Sequence, residues 1–220
     1  MERDRIIERL RLQLITQKKS LPDILTEVQA FLDGGGRWVQ LRMKEAAHPD
    51  IVQTGKLILP LCRKYGAVFI LNDHPELALE IGADGVHIGK NDISPVQARN
   101  MLGWDKIIGC TANTFEDIEQ LSGYPIDYIG LGPFRFTSTK KNLSPVLGVE
   151  GYRRIFAQMQ EHGIRIPVTV IGGITWADVG PLNEAGACCY AVSGSISNAA
   201  DPTEETERFL AAVGSRTQGV

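Results

Sequence analysis

The sequence lacks the features that mark a membrane protein, a nucleic-acid binder or a disulfide scaffold. Its four cysteines, Cys62, Cys110, Cys188 and Cys189, form no CxxC pair and no Cys/His metal spacing. Cys188 and Cys189 are neighbours, and adjacent residues of a strand point to opposite faces. Four reduced thiols in the cytosol are the expectation. No segment approaches the run of about 20 apolar residues that a membrane helix needs. The opening MERDRIIERLRLQLIT is charged where a secretory signal would be apolar. A soluble cytoplasmic protein is the simplest account. The net charge is only −3, so no broad basic field invites nucleic acid. An anionic ligand would need a local cluster of cations. No long linker or low-complexity tract divides the chain. An evident nucleophile–base pair is missing too. Of the histidines His48, His74, His87 and His162, only His87 falls convincingly at a strand end. A structural role for it is as reasonable as a catalytic one.

What the sequence does have is alternation. Short apolar, β-rich runs occur at 12–16, 37–41, 67–71, 84–88, 106–110, 127–131, 167–171 and 188–192. Several are nearly continuous apolar stretches, as expected of parallel strands buried on both faces. Helical patterns fit between them at 23–32, 50–65, 75–81, 94–102, 114–122, 148–162 and 175–185, with 202–213 closing the chain. Ser20 and Ser94 stand as caps before prolines, and Asn113 is the expected cap of the helix after it. A short amphipathic helix at 2–10 precedes the first strand. Eight βα repeats in 220 residues predict an α/β protein, a single (β/α)8 TIM barrel over 1–220 with a short extra N-terminal helix. A hydrophobic content of 43% suffices for one core. Gly34-Gly35-Gly36 lies between helix and strand and reads as a C-cap and turn.

In such a barrel the site lies at the C-terminal ends of the strands. Those ends carry Gln40-Leu41-Arg42-Met43-Lys44, Asn72-Asp73, His87 with Lys90 and Asp92 beyond, Thr111, the loop GPFRFTSTKK at 132–141, Gly172-Gly173 and Ser193-Gly194. Arg42, Lys44 and Lys140 are cations that can converge on a polyanion, arginine as a fork and lysine as a point charge. If strand two stays extended, Gln40, Arg42 and Lys44 share one face. Asp73 and Asp92 form a carboxylate pair on adjacent strands, suited to Mg2+ with phosphate oxygens and water. Taken alone, each would more often be a cap, Asp73 of the turn at His74-Pro75 and Asp92 of the helix after it. The glycines after strands seven and eight, with Thr137, Ser138 and Thr139, suggest a second phosphate subsite built on N–H and hydroxyl donors. Two anion sites without a nucleophile fit chemistry driven by stabilising a leaving group.

Together these segments resemble the thiamine phosphate synthase family. The resemblance runs from about Leu12 to Ile196 and rests on VQLRMK, LND, DGVHIGKND, DYIGLGPFRFTSTKK and IGGI in that order. It implies a transferase of thiamine biosynthesis that joins a pyrimidine pyrophosphate to a thiazole phosphate and releases pyrophosphate. By that resemblance the stretch Gln40, Leu41, Arg42, Met43 and Lys44, with Asn72 and Thr111, would hold the pyrimidine and its pyrophosphate. Arg42, Lys44 and Lys140 would be catalytic, Asp73 and Asp92 would bind Mg2+, and Thr137, Ser138, Thr139, Gly172, Gly173, Ser193 and Gly194 would hold the thiazole phosphate. The implied mechanism is dissociative, through a pyrimidine carbocation. Partners would be small molecules, with neither nucleic acid nor membrane, and a homo-oligomer is compatible. Four positions depart from the family pattern: Met43 for glutamate, Lys90 for glutamine, Thr111 for serine, and AVSGSI in the last motif. Two rivals are a thiazole tautomerase, which uses a histidine near the start of the loop after strand six, and a phosphate-binding barrel without activity. The first meets Gly132-Pro133 instead of a histidine; the second is opposed by intact Asp73, Asp92, Arg42 and Lys140.

Overall fold

The computed structural model describes residues 10–17, 19–136 and 145–214. The helix expected at 2–10 lies almost entirely outside them. Eight parallel strands close into a barrel in sequence order: β1 (Leu12–Ile15), β2 (Trp38–Leu41), β3 (Val68–Asn72), β4 (Gly85–Ile88), β5 (Ile107–Ala112), β6 (Tyr128–Leu131), β7 (Val168–Ile171) and β8 (Cys189–Val192). Closure is made by β1 on β8, with Leu12 opposite Tyr190 and Leu14 opposite Val192. The fold is the (β/α)8 barrel that the alternation predicts.

The helices are α1 (Leu21–Asp33), α2 (His48–Lys64), α3 (Pro75–Ile81), α4 (Pro95–Leu102), α5 (Phe115–Ser122), α6 (Gly148–Glu161), α7 (Val179–Glu184), α8 (Gly194–Ser197) and α9 (Pro202–Gly214). Local chemistry sets their starts. Ser20 accepts from the Asp23 amide, and Ser94 forms a reciprocal capping box with Gln97. Three expectations are corrected. Thr114, not Asn113, caps α5, because the Asn113 amide is drawn inward to donate to the Gly132 carbonyl at 2.5 Å. The helix expected at 175–185 is a 3-10 turn (Trp176–Asp178) followed by α7. The Cys188 and Cys189 sulfurs are not on opposite faces but 3.7 Å apart, since Cys188 precedes β8 and strand alternation does not govern it.

The core lies on both sides of the barrel wall, with Val86, Ile88, Ala98, Leu102, Ile108 and Cys110 forming a separate cluster. Outward strand residues such as Leu14, Val39, Leu41, Phe69 and Leu71 pack under the helices against Val28, Phe31 and Ile58. Burying each large side chain contributes about 1.5–3 kcal/mol. Inside, toward the N-terminal end, Trp38, Ile70, Ile107 and Tyr128 form a plug. Trp38 and Tyr128 meet edge-on at 4.9 Å. Gly109 makes that possible, because a Cβ there would fall 2.1 Å from the Tyr128 ring. Burial pushes the Cys62 and Cys110 thiols up to about 12, so both behave as core residues. Among the described residues no helix is long and apolar enough to cross a membrane.

Candidate active site

The C-terminal mouth gathers most of the polar residues singled out from the sequence. β2 ends at Leu41, and the chain then turns, with Glu45 in the left-handed region (φ 70°). Alternation nonetheless carries past the strand end, since Leu41 and Met43 both join the outer core while Gln40 faces inward. Lys44 reaches the next strand end, where its Nζ lies 3.4 Å from Asp73 Oδ2. Arg42 is half-buried, and its amide donates to Thr16 Oγ1 at 3.0 Å. Gln40 points into the barrel, donating to Gln13 Oε1 at 3.3 Å. Leu41 and Met43 differ: their side chains join the outer core, which leaves their main chain as what they can offer a ligand.

Asp73 follows the last residue of β3 and takes a left-handed conformation (φ 71°), with its amide bonded to the His87 carbonyl at 2.8 Å. Asp92 closes the turn after β4 by accepting from the Gly89 amide at 2.6 Å. Helix α4 has Ser94 as its cap, so Asp92 is not needed there. Asp92 lies near enough to Asp73 to act on its carboxyl. Burial raises the Asp73 carboxyl, Asp92 raises it further, and Lys44 offsets them only in part. Two carboxylates held together in this way favour a cation between them. Burial likewise lowers the Arg42 guanidinium, against the pull of Asp73.

Beneath this cluster runs a chain of hydrogen bonds. His87 Nε2 is 3.0 Å from Thr111 Oγ1, and its Nδ1 is 3.0 Å from the Tyr128 hydroxyl. Gln13 links Tyr128 to Gln40. His87 thus serves as an interior spacer that orients Thr111. The signal for it was weak, since Tyr128 opens β6 and looks like any core aromatic.

Across the barrel, Gly172 and Gly173 both have positive φ (108° and 72°). Gly172 packs so closely on the loop after β6 that a Cβ would meet Pro133 Cα at 2.7 Å. That loop is pinned by Arg135, which grips Asp178 with two bonds of 2.7 Å and donates to the Gly173 carbonyl. Partial burial works to raise the Asp178 carboxyl, but its bonds to Arg135 and Thr175 outweigh it and hold it low. Neither Arg135 nor Asp178 stood out in the sequence; they are 43 residues apart and only the fold pairs them. Ser193 precedes α8, whose first-turn amides at Gly194 and Ser195 lack intrahelical acceptors. Thr137, Ser138, Thr139 and Lys140 lie outside the described residues.

Lys90 has a definite partner. Its Nζ is 2.7 Å from Asp117 on α5, so it ties the β4 turn to that helix and is not a spare cation. Asp117 in turn accepts from the Asn113 and Thr114 amides.

Known proteins are similar to this chain. The family model described as thiamine monophosphate synthase matches residues 12–196. A thiamine-phosphate synthase of Bacteroides fragilis is 51% identical over 201 residues, covering 91% of this chain and 98% of that protein. One of Flavobacterium johnsoniae is 47% identical over 186 residues, covering 84% and 88%. Among solved structures, a thiamine phosphate pyrophosphorylase of Pyrococcus furiosus superposes with a TM-score of 0.82 at 28% identity, covering 95% of this chain and 98% of that one.

Proposed function

Because this chain belongs to the thiamine monophosphate synthase family, we propose that it condenses 4-amino-2-methyl-5-(diphosphooxymethyl)pyrimidine with thiazole phosphate to give thiamine phosphate and pyrophosphate. The observation that carries the reading is the Asp73–Asp92 carboxylate pair with Lys44 3.4 Å away and Arg42 beside it. Hard oxygen donors held together fit Mg2+, which takes one or two carboxylates and completes its shell with phosphate oxygens and water. When bound, Mg2+ supplies positive charge to the departing pyrophosphate.

The residues divide the work. Lys44 and Arg42 hold the pyrophosphate at the mouth, and Lys140 adds a third cation from its loop. Thr111, oriented by His87, and Asn72 receive the pyrimidine. Its methylene C–O bond breaks, and the electron pair leaves with pyrophosphate. The charge building on that group is what the cations stabilise. The thiazole nitrogen then donates its lone pair to the methylene carbon, forming the new C–N bond. No protein nucleophile takes part. Gly173, Ser193 and Gly194 hold the thiazole phosphate through main-chain N–H groups, and the hydroxyls of Thr137, Ser138 and Thr139 are assigned to the same group by the family resemblance. A cytosolic setting with reduced thiols belongs to the same reading.

The test is incubation with both substrates and Mg2+, followed by detection of thiamine phosphate and pyrophosphate in equal amounts. Isomerisation of the thiazole without condensation would replace this reading with a tautomerase. Binding of both phosphates without turnover would replace it with an inactive barrel.

A further inference from the structure

A histidine pair stands outside this machinery. His48 opens α2 after β2, His74 is the N-cap residue of α3 after β3, and Glu76 lies in the first turn of α3. One ligand atom from each lies within 4.8 Å of the other two. His74 Nδ1 is 3.4 Å from Glu76 Oε1, and the two imidazole centroids are 4.9 Å apart. An ordinary polar contact accounts for His74 and Glu76 but not for the second imidazole brought beside them.

We propose that His48, His74 and Glu76 form a second metal site, selective for a borderline-soft divalent ion such as Zn2+. Two imidazoles and one carboxylate are a donor set that zinc accepts readily, with water in the fourth position. Mg2+ prefers oxygen donors and octahedral geometry, so it would not compete. With metal–ligand bonds near 2.1 Å, tetrahedral donors sit about 3.4 Å apart. The His74–Glu76 pair already has that spacing at 3.4 Å. His48 is exposed, so its ring can swing the remaining distance without disturbing the core. The site shares its loop with Asp73, the residue before His74, yet uses neither Asp73 nor Asp92. It therefore stands whether or not the proposed reaction is correct.

The experiment titrates metal-free protein with Zn2+ alone by calorimetry, and with Co2+ as a visible-absorption reporter. We expect one Zn2+ per chain and the intense visible bands of tetrahedral Co2+. Each of His48→Ala, His74→Ala and Glu76→Gln should weaken binding at least about tenfold, since even indirect partners of a metal cost that much when removed. Asp92→Asn and Cys188→Ser should bind as the parent does, and excess Mg2+ should not displace the ion. The proposal is overturned by absent binding, by parent-like binding in His48→Ala, or by loss of binding in Asp92→Asn or Cys188→Ser. Should His74→Ala fail to fold, His48→Ala decides, because its side chain is exposed.

Discussion

At the scale of single residues, the polar groups of the mouth do different jobs although they look alike in sequence. Asp92 is exposed and closes a turn. Removing its carboxylate should change melting temperature little but abolish most turnover, because a surface side chain contributes little to the core. Near-normal turnover of Asp92→Ala at limiting Mg2+ would defeat the assignment. Lys90 shows the opposite outcome. As an unpaired cation beyond β4 it would be expected to strengthen pyrophosphate binding. Its pairing with Asp117 assigns it to loop packing instead. Lys90→Gln should cost about 0.2–1 kcal/mol of stability, the range of partly exposed ion pairs. It should leave the pyrophosphate inhibition constant unchanged within about twofold, as a 0.4 kcal/mol effect implies. A clear rise in that constant, measured at low and moderate salt, would restore a role in binding.

Glu27 is a residue that pattern reading passes over. It sits buried in α1 at 3% exposure, accepts from Ser197, and lies 3.6 Å from Lys19. Burial raises its carboxyl, and those partners lower it only in part. An acid raised in the folded state contributes stability below its ordinary pKa and loses it as pH rises through the folded value. Relative to Glu27→Gln, which cannot titrate, the parent should therefore be most stable in mild acid and should lose ground toward neutral pH. Parallel melting curves of the two proteins from pH 4 to 7.5 would contradict this.

At the scale of elements, the strands and most helices were legible because their cause is local. Parallel strands buried on both faces must be continuous apolar runs, and Ser20 and Ser94 announce their helices through side-chain caps. What escaped was decided by contacts distant in sequence. Asn113 leaves its capping position because Gly132 offers an acceptor, and Arg135 finds Asp178 only once β6 and β7 are paired. The four-residue α8 is too short to show a period. The site followed the same division. The order of strand ends places Asp73 near Asp92, while the inward chain from Thr111 to Gln40 depends on the stagger of strands around the barrel. The glycine loop after β7 offers a direct test. With φ at 108° and Pro133 in the way of a Cβ, Gly172→Ala should cost about 1–3 kcal/mol. It should also weaken thiazole phosphate binding more than binding of the pyrimidine pyrophosphate. Equal losses for both substrates would show that the loop serves the whole barrel and not one subsite.

At the scale of the molecule, the two ends of the barrel separate chemistry from stability. The C-terminal mouth keeps like charges together and backbone in left-handed conformations, both of which cost stability. The N-terminal end holds the plug of Trp38 and Tyr128 and a buried ion pair beside it. Arg99, 4% exposed at the end of α4, donates to the carbonyls of Gly103, Lys106 and Pro125 and pairs with Asp127 at 2.7 Å. Asp127 also accepts from the Ile108 amide. One guanidinium thus joins α4, the start of β5 and the start of β6. Replacing it by methionine fills the volume but strands a buried carboxylate and three carbonyls. Breaking a buried pair from one side costs about 3–5 kcal/mol. Arg99→Met should therefore unfold at markedly lower denaturant, with an unchanged slope if the native state keeps its compactness. At a temperature where it remains folded, its turnover number should match the parent, because no atom of the pair lies at the mouth. A fall in turnover without a fall in stability would show that strain at the N-terminal end is transmitted through the strands to the C-terminal end, and the separation of the two ends would fail.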